Sequence, residues 1–136
     1  MKHSPTRVLA AALGSLALAA SPALAHHSAA MFDNTKEVSV VGTVKAWQWS
    51  NPHSWLQLET LDAKGARTEQ GFECGSPNTL FRNGWRVDSF KPGDKVELIT
   101  YPRRDGSLGG MLVAAKKADG AWLEWLPSAA KTVPRS

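Results

Sequence analysis

Residues 76–84 read SPNTLFRNG and carry the clearest helix signal in the chain. Ser76 is a favourable N-cap residue, and Pro77 suits the first helical position. Gly84 suits the C′ position that ends a helix. The apolar side of this segment consists of Leu80, Phe81 and Trp85. We therefore predict one short helix here, in a chain whose other segments alternate like β-strands.

Strand-like segments flank this helix, and turn residues such as Asn51-Pro52 and Pro92-Gly93 separate them. The predicted strands cover residues 37–49, 54–61, 66–74, 94–101 and 108–117, and a short tail strand covers 122–126. Three strands, a helix and two further strands form the order of the OB-fold, a five-stranded, partly open barrel. We therefore predict a mostly β, OB-like antiparallel barrel with one short helix between strands three and four. An open meander or a small sandwich fits the same pattern and stays open as an alternative.

The first strand has apolar residues on both faces when it is drawn as a regular alternation. One face carries Val38, Val40, Gly42, Val44 and Ala46, and the other carries Val41, Thr43, Lys45, Trp47 and Trp49. The glycine in the middle predicts a bend or bulge, which would let the strand curl into a barrel.

The N-terminal segment predicts export. Lys2 and Arg7 form a positive region, and residues 8–20 are an uncharged, mainly apolar run of thirteen. Ala23-Leu24-Ala25 then supplies the small residues that a signal peptidase requires. A membrane span takes about 20 apolar residues, so this run is too short to be one. We predict a signal peptide over residues 1–25, cleavage after Ala25, and a periplasmic or secreted protein with no membrane span after cleavage. A retained anchor, or cleavage at Ala19 or Ala20, stays open as an alternative.

The predicted mature chain has three parts: a polar leader over residues 26–36, an OB-like domain over 37–126 and a flexible tail over 127–136. Loss of Lys2 and Arg7 lowers the formal charge from +4 to +2. A nucleic-acid partner needs a clustered basic face, which this balance does not suggest. Together with export, this predicts a periplasmic small molecule or protein as the partner, and no nucleic acid.

Seven short motifs occur in order along the chain: His26-His27-Ser28, Phe32-Asp33, Gly42-Thr43-Val44, Asn51-Pro52-His53, Gly75-Ser76-Pro77-Asn78, Gly84-Trp85 and Pro92-Gly93-Asp94. Together they resemble a family of small exported bacterial proteins, catalogued as domain of unknown function 6152. The resemblance runs over nearly the whole mature chain and implies an exported, single-domain protein. It implies no catalytic residues.

Three histidines remain after the predicted cleavage, and two of them, His26 and His27, stand at the new terminus. Cleavage frees an α-amine beside an imidazole, and the two together can chelate one metal ion. A third nitrogen, from His53, would complete a site that suits copper(II), the tightest binder among the divalent metals. We predict copper or zinc as the candidate ion. The plainer interpretation is a mobile terminus and a turn histidine that makes a single hydrogen bond.

Glu73 and Cys74 are candidate additional metal ligands near His53. The third strand should end beside the start of the second, which places Glu73 and Cys74 near His53. Cys74 is the only cysteine, so the chain has no internal disulfide. Burial is the favoured interpretation of this thiol, because free cysteine usually packs in the interior.

A binding module without metal is the second functional hypothesis. OB-like barrels bind ligands between the first and fourth loops, here residues 50–53 and 102–107. The candidate ligand-binding residues are Trp47, Trp49, Trp55, Arg103 and Arg104. Aromatic rings with a guanidinium suit a glycan, a peptide or a protein surface. The alternative is that these tryptophans close the barrel, since most of the six in so short a chain should be buried.

An enzymatic role is uncertain and less favoured than binding. The sequence offers no Ser-His-Asp pattern, no phosphate-cradling glycine loop and no matched carboxylate pair. A copper oxidase built on the terminal histidine stays open.

Overall fold

The computed structural model describes residues 30–126 of the chain. Its elements are β1 (Val38–Gln48), β2 (Trp55–Leu61), β3 (Arg67–Glu73), α1 (Pro77–Arg82), β4 (Lys95–Pro102), β5 (Gly110–Lys116) and β6 (Trp122–Glu124). This order confirms the predicted three strands, helix and further strands. The predicted signal peptide, His26, His27 and the C-terminal tail lie outside the described residues. Among the described residues, no helix is long and apolar enough to cross a membrane.

The strands form one sheet in the order β3-β2-β1-β4-β5-β6, and a pairing between β3 and β5 closes it into a five-stranded barrel. Phe72 pairs with Gly110 and Glu73 with Met111 in this closing contact, which is parallel. All other neighbours are antiparallel. The predicted OB-like barrel is confirmed, with the correction that its closing pair is parallel. The short β6 lies outside β5 at the edge of the sheet.

The short helix has the predicted caps. The Ser76 hydroxyl accepts a hydrogen bond from the Thr79 N–H, and Pro77 occupies the first turn. Asn83 is the C-cap, and Gly84 follows at φ +87°, the left-handed region that favours glycine. Leu80 is fully buried, so the helix closes one end of the barrel interior with that side chain.

Of two aromatic residues predicted on the apolar side of this helix, one is buried and the other is exposed. Trp85 is buried as expected, but Phe81 is 56% exposed. The Arg86 guanidinium lies over the Phe81 ring, 4.1 Å from its centroid. A cation above the ring face covers part of the apolar surface, which reduces the cost of leaving this phenylalanine on the outside.

The regular alternation predicted for the first strand is wrong beyond Val44. Val44 pairs with Leu58, whereas Ala46 pairs with Gln57 and Trp47 with Leu56. Lys45 is therefore an extra residue, and the bulge lies there rather than at Gly42. A bulge shifts the following side chains to the opposite face. Trp47 consequently shares the interior face with Val44, and it packs against the interior core.

The interior core lies inside the barrel and beneath the helix. Its largest members are Trp85, Phe72, Phe90, Leu56, Leu58, Leu80, Leu98 and Leu112. Trp47, Trp49 and Trp125 pack against it while partly exposed. Most of the tryptophans therefore contribute to the core, as predicted from their number.

A second, outer cluster packs on the other side of β4 and β5. It consists of Phe32, Ile99, Tyr101, Val113 and Ala114. Phe32 belongs to the segment predicted as a polar leader, yet it is buried and forms an isolated bridge with Arg103. The leader is thus anchored to the barrel at this residue.

Candidate functional site

His53 lies in the turn between β1 and β2, beside the end of β3. The Ser50 hydroxyl donates to the His53 carbonyl at 2.9 Å, which closes the turn. The hydrogen bonds of the β2–β3 pair continue past the strand ends: Ser54 N–H donates to the Gly75 carbonyl, and Cys74 N–H to the Ser54 carbonyl. The predicted proximity of His53 to the end of the third strand is confirmed.

The His53 ring and the Glu73 carboxylate form a close pair. Nδ1 of His53 lies 2.6 Å from Oε1 of Glu73, and the side chains are 33% and 8% exposed. A carboxylate at Nδ1 requires this nitrogen to carry the hydrogen. In the neutral ring, Nε2 then keeps its lone pair. Within residues 30–126 no other hydrogen bond to the ring is present.

Glu73 and Cys74 point to opposite sides of the chain. Phe72 and Cys74 belong to the interior core. Glu73 pairs with Trp55 on one side and with Met111 on the other, and it shares the outer face of the sheet with them. The acid is therefore beside His53, while the thiol is inside the barrel.

The interior position fixes the chemistry of Cys74. The thiol is buried and lies 3.7 Å from the Phe72 carbonyl, to which it donates. Burial raises the pKa of this thiol well above its usual value, and the nearby Glu73 charge raises it further. A thiolate is the form that binds metals. The favoured interpretation of Cys74 as a packed interior residue is confirmed.

Trp47 and Trp49 contact the helix side of the barrel. Their ring centroids lie 5.6 Å apart in an edge-to-face arrangement. Trp47 also contacts Trp85 and Phe90, and its Nε1 donates to the Arg86 carbonyl at 3.1 Å. These contacts agree with the interpretation in which both tryptophans help to close the barrel. Trp55 lies apart from them, on the outer face next to Glu73.

Arg103 and Arg104 contact the leader. The Arg103 guanidinium lies 5.5 Å from the centroid of the Phe32 ring. Arg104 N–H donates to the Met31 carbonyl, and Nη1 of Arg104 lies 3.9 Å from Oδ1 of Asp33. The two residues thus fasten the leader to the end of β4.

The leader has a polar anchor beside its aromatic one. The Thr35 hydroxyl donates to Oδ1 of Asp33 at 2.6 Å, and Nζ of Lys36 lies 3.2 Å from Oδ2. These hydrogen bonds, that from Thr35 first, lower the pKa of Asp33 from 3.8 to about 2. This anchor was not predicted, because Phe32 is a lone aromatic residue in a polar stretch.

Within residues 30–126 no three side chains of His, Cys, Asp or Glu are grouped closely enough to hold an ion. The His53–Glu73 pair offers one ring nitrogen, Nε2, that Glu73 does not contact.

Comparisons with known proteins give a family and a distant structural likeness. None of the curated proteins compared with the chain matches it. The mitochondrial single-stranded DNA-binding protein Rim1 of S. cerevisiae is similar in structure at 12% identity and a TM-score of 0.44, over 61% of this chain and 94% of that one. This likeness carries no argument about ligands. The model of a family of unknown function, DUF6152, matches residues 12–115, and the chain belongs to that family.

Proposed function

We propose that this chain is an exported OB-like binding protein that binds one copper or zinc ion through His53 and the mature N-terminal histidines, His26 and His27. The observation that carries the proposal is the 2.6 Å contact between Nδ1 of His53 and Oε1 of Glu73. Histidines that bind metals commonly donate their other ring N–H to a carboxylate, which fixes the tautomer and orients the ring.

Glu73 acts in this proposal as the positioning residue. Its carboxylate is almost fully buried, whereas the ring of His53 is one-third exposed. A buried carboxylate 2.6 Å from Nδ1 orients the ring, and Nε2 is then the ring nitrogen that binds the ion. The negative charge also makes the ring a stronger donor to a cation.

The remaining ligands come from the mature terminus. The α-amine and the imidazole of His26 chelate one ion, and His27 adds a second ring. A set of nitrogen donors with few carboxylates suits copper(II) or zinc(II) and does not suit magnesium or calcium. Cleavage after Ala25 is thus part of site formation, since it creates the amine.

The leader is long enough to bring these groups to His53. Phe32 pairs with Arg103, so three strand spacings separate it from β3, about 14 Å at 4.8 Å each. The five residues from His27 to Phe32 span up to about 17 Å when extended. The anchored leader therefore has a reach that matches the distance to the Glu73 end of the barrel.

Copper titration of the exported protein tests the proposal. We expect one equivalent of copper(II) to bind, His53→Ala to weaken binding at least about tenfold, and Glu73→Gln to weaken it about tenfold through loss of orientation. Glu69→Gln is the matched control, because it makes the same substitution at an exposed position of the same strand. Its affinity should stay within about twofold of the wild type.

The proposal fails if His53→Ala, folded as judged by circular dichroism, binds copper and zinc as tightly as the wild type. It also fails if the exported protein binds neither ion stoichiometrically.

A further inference from the structure

The end of the barrel where β1 begins and β2 ends contains an open strand edge. The β1–β2 pairing ends at Thr43 with Glu59, although β1 continues back to Val38 and β2 continues on to Leu61. Residues 38–42 pair with β4 on one side, and within residues 30–126 they have no strand on the other. We call this feature the open edge.

The backbone of the open edge is able to pair with another strand. Val44 N–H donates to the Asp94 carbonyl, and the Val44 carbonyl accepts from Gly93, so both of its backbone groups face the β4 side. Successive residues of a strand turn their backbone groups to alternate sides. The N–H and C=O groups of Ser39 and Val41 therefore face the open side.

The residues of the open edge lack the usual protection against pairing. Native edge strands are commonly interrupted by charges, prolines or bulges. Residues 38–42 read VSVVG, with no charge and no proline. Val41 and, across the gap, Leu61 are each 68% exposed. A cavity of about 300 Å³ lies between the two strands here.

The charged side chains around this cavity favour an acidic partner. Its charged lining residues are Glu59, Arg67 and Lys95. Arg67 contacts Glu59 at 3.1 Å, and Nζ of Lys95 donates to the Thr43 hydroxyl at 2.7 Å, which leaves each cation with further N–H groups. The lining therefore has two cations and one acid. This charge balance would repel a second copy of the same edge and attract a strand that carries carboxylates.

The geometry points to the open edge as a docking site for an extended, acidic peptide segment of a partner protein, added as a strand beside β1. Backbone hydrogen bonds to Ser39 and Val41 supply affinity, and an apolar side chain on the outer face of the peptide, between two carboxylates of the same face, contacts Val41 and Leu61. Carboxylates of the peptide contact Lys95 and Arg67. This surface is separate from the proposed metal site and does not depend on it.

A defined peptide tests this proposal. The probe is Ac-Glu-Thr-Val-Thr-Glu-NH2, whose valine and two glutamates share one face of a strand, titrated into the ¹⁵N-labelled full chain. We expect chemical-shift changes centred on the amides of residues 38–42 and 59–61. A version that is N-methylated at alternate residues keeps every side chain but cannot pair as a strand, and it should bind at least about tenfold more weakly.

Matched variants locate the contact. Val41→Asp should weaken the probe at least about tenfold, because it removes an exposed apolar contact and adds a repelling charge. Val87→Asp makes the same change at a similarly exposed valine elsewhere and should have less than a twofold effect. Neither side chain belongs to the buried core, so both variants should fold.

Four results would overturn the proposal: no binding of the probe, equal binding of the N-methylated peptide, shifts that map away from the open edge, or equal losses in the two variants. Concentration-dependent pairing of the chain through residues 38–42 would also overturn it, because the occupant would then be a second copy.

Discussion

The two ends of strand β2 differ in how many strands enclose them. At its first residue, Trp55 pairs with β1 and with Glu73 of β3, and the pairing continues from Glu73 to β5. At its last residue, Leu61 pairs with Arg67 of β3, and within the described residues it has no partner on the β1 side. One end is therefore enclosed and the other is open on one side.

A glutamate contacts a nitrogen-bearing side chain at each end, and the two environments differ. Glu73 and His53 meet at the enclosed end, where the acid is 8% exposed. Glu59 and Arg67 meet at the open end, where the acid is 27% exposed and the arginine largely in water. The acid at the enclosed end is thus the more deeply buried of the two.

Two leucines on β2, one on its interior face and one on its outer face at the open end, give the largest expected effect. Leu56 is fully buried near the enclosed end, and Leu61 is exposed at the open end. We expect Leu56→Ala to lower the free energy of unfolding by about 2–5 kcal/mol through lost burial and a cavity, and Leu61→Ala by less than about 0.5 kcal/mol. Urea unfolding of both variants checks this. Similar losses would mean that the open end is packed.

Gly42 marks the point where β1 separates from β2. A Cβ at this position would lie 2.8 Å from the Glu59 carbonyl oxygen, which is backbone. At Gly71, a Cβ would meet only the flexible side chain of Gln57, at 2.9 Å. We expect Gly42→Ala to cost about 1–2 kcal/mol and Gly71→Ala less than about 0.5 kcal/mol. Thermal unfolding distinguishes them, and the reverse order would refute the close approach at Gly42.

The comparison of the two acids predicts a smaller effect. Glu73→Gln removes the charge from an enclosed hydrogen bond and should cost about 1 kcal/mol, reduced because the His53 ring is partly in water. Glu59→Gln should change stability by less than about 0.5 kcal/mol, as exposed pairs usually do. Denaturant unfolding at neutral pH measures both. An equal effect would contradict the role of enclosure.

The leader anchor predicts a dependence on pH. The pKa of Asp33 is lowered to about 2 in the folded chain, from 3.8. Its ionised form therefore stabilises the fold fully above about pH 4, and this contribution is lost as the pH falls towards 2. The stability difference between the wild type and Asp33→Asn should shrink over that interval. A difference that is constant from pH 5 to pH 2 would show that the Asp33 contacts do not hold the leader.

Local signals in the sequence predicted the helix, the strand order and the His53–Glu73 proximity. Ser76, Pro77 and Gly84 define the helix through their own backbone preferences, and an antiparallel hairpin requires its ends to meet. The bulge at Lys45 was not predicted, because an alternating pattern does not reveal where a strand has one residue too many. The burial of Phe32 was also missed, since its partner Arg103 is distant in sequence.

The most direct test of the central claim compares two forms of the N-terminus in a copper titration. The exported chain that begins at His26 should bind copper(II) at least about tenfold more tightly, or about 1.4 kcal/mol, than a cytoplasmic form that begins Met-His-His and retains its methionine. Both forms carry the same histidine side chains, but only the first has the free amine on His26. His53→Ala should weaken the first form and scarcely change the second. Equal affinities of the two forms would contradict the proposed terminal site.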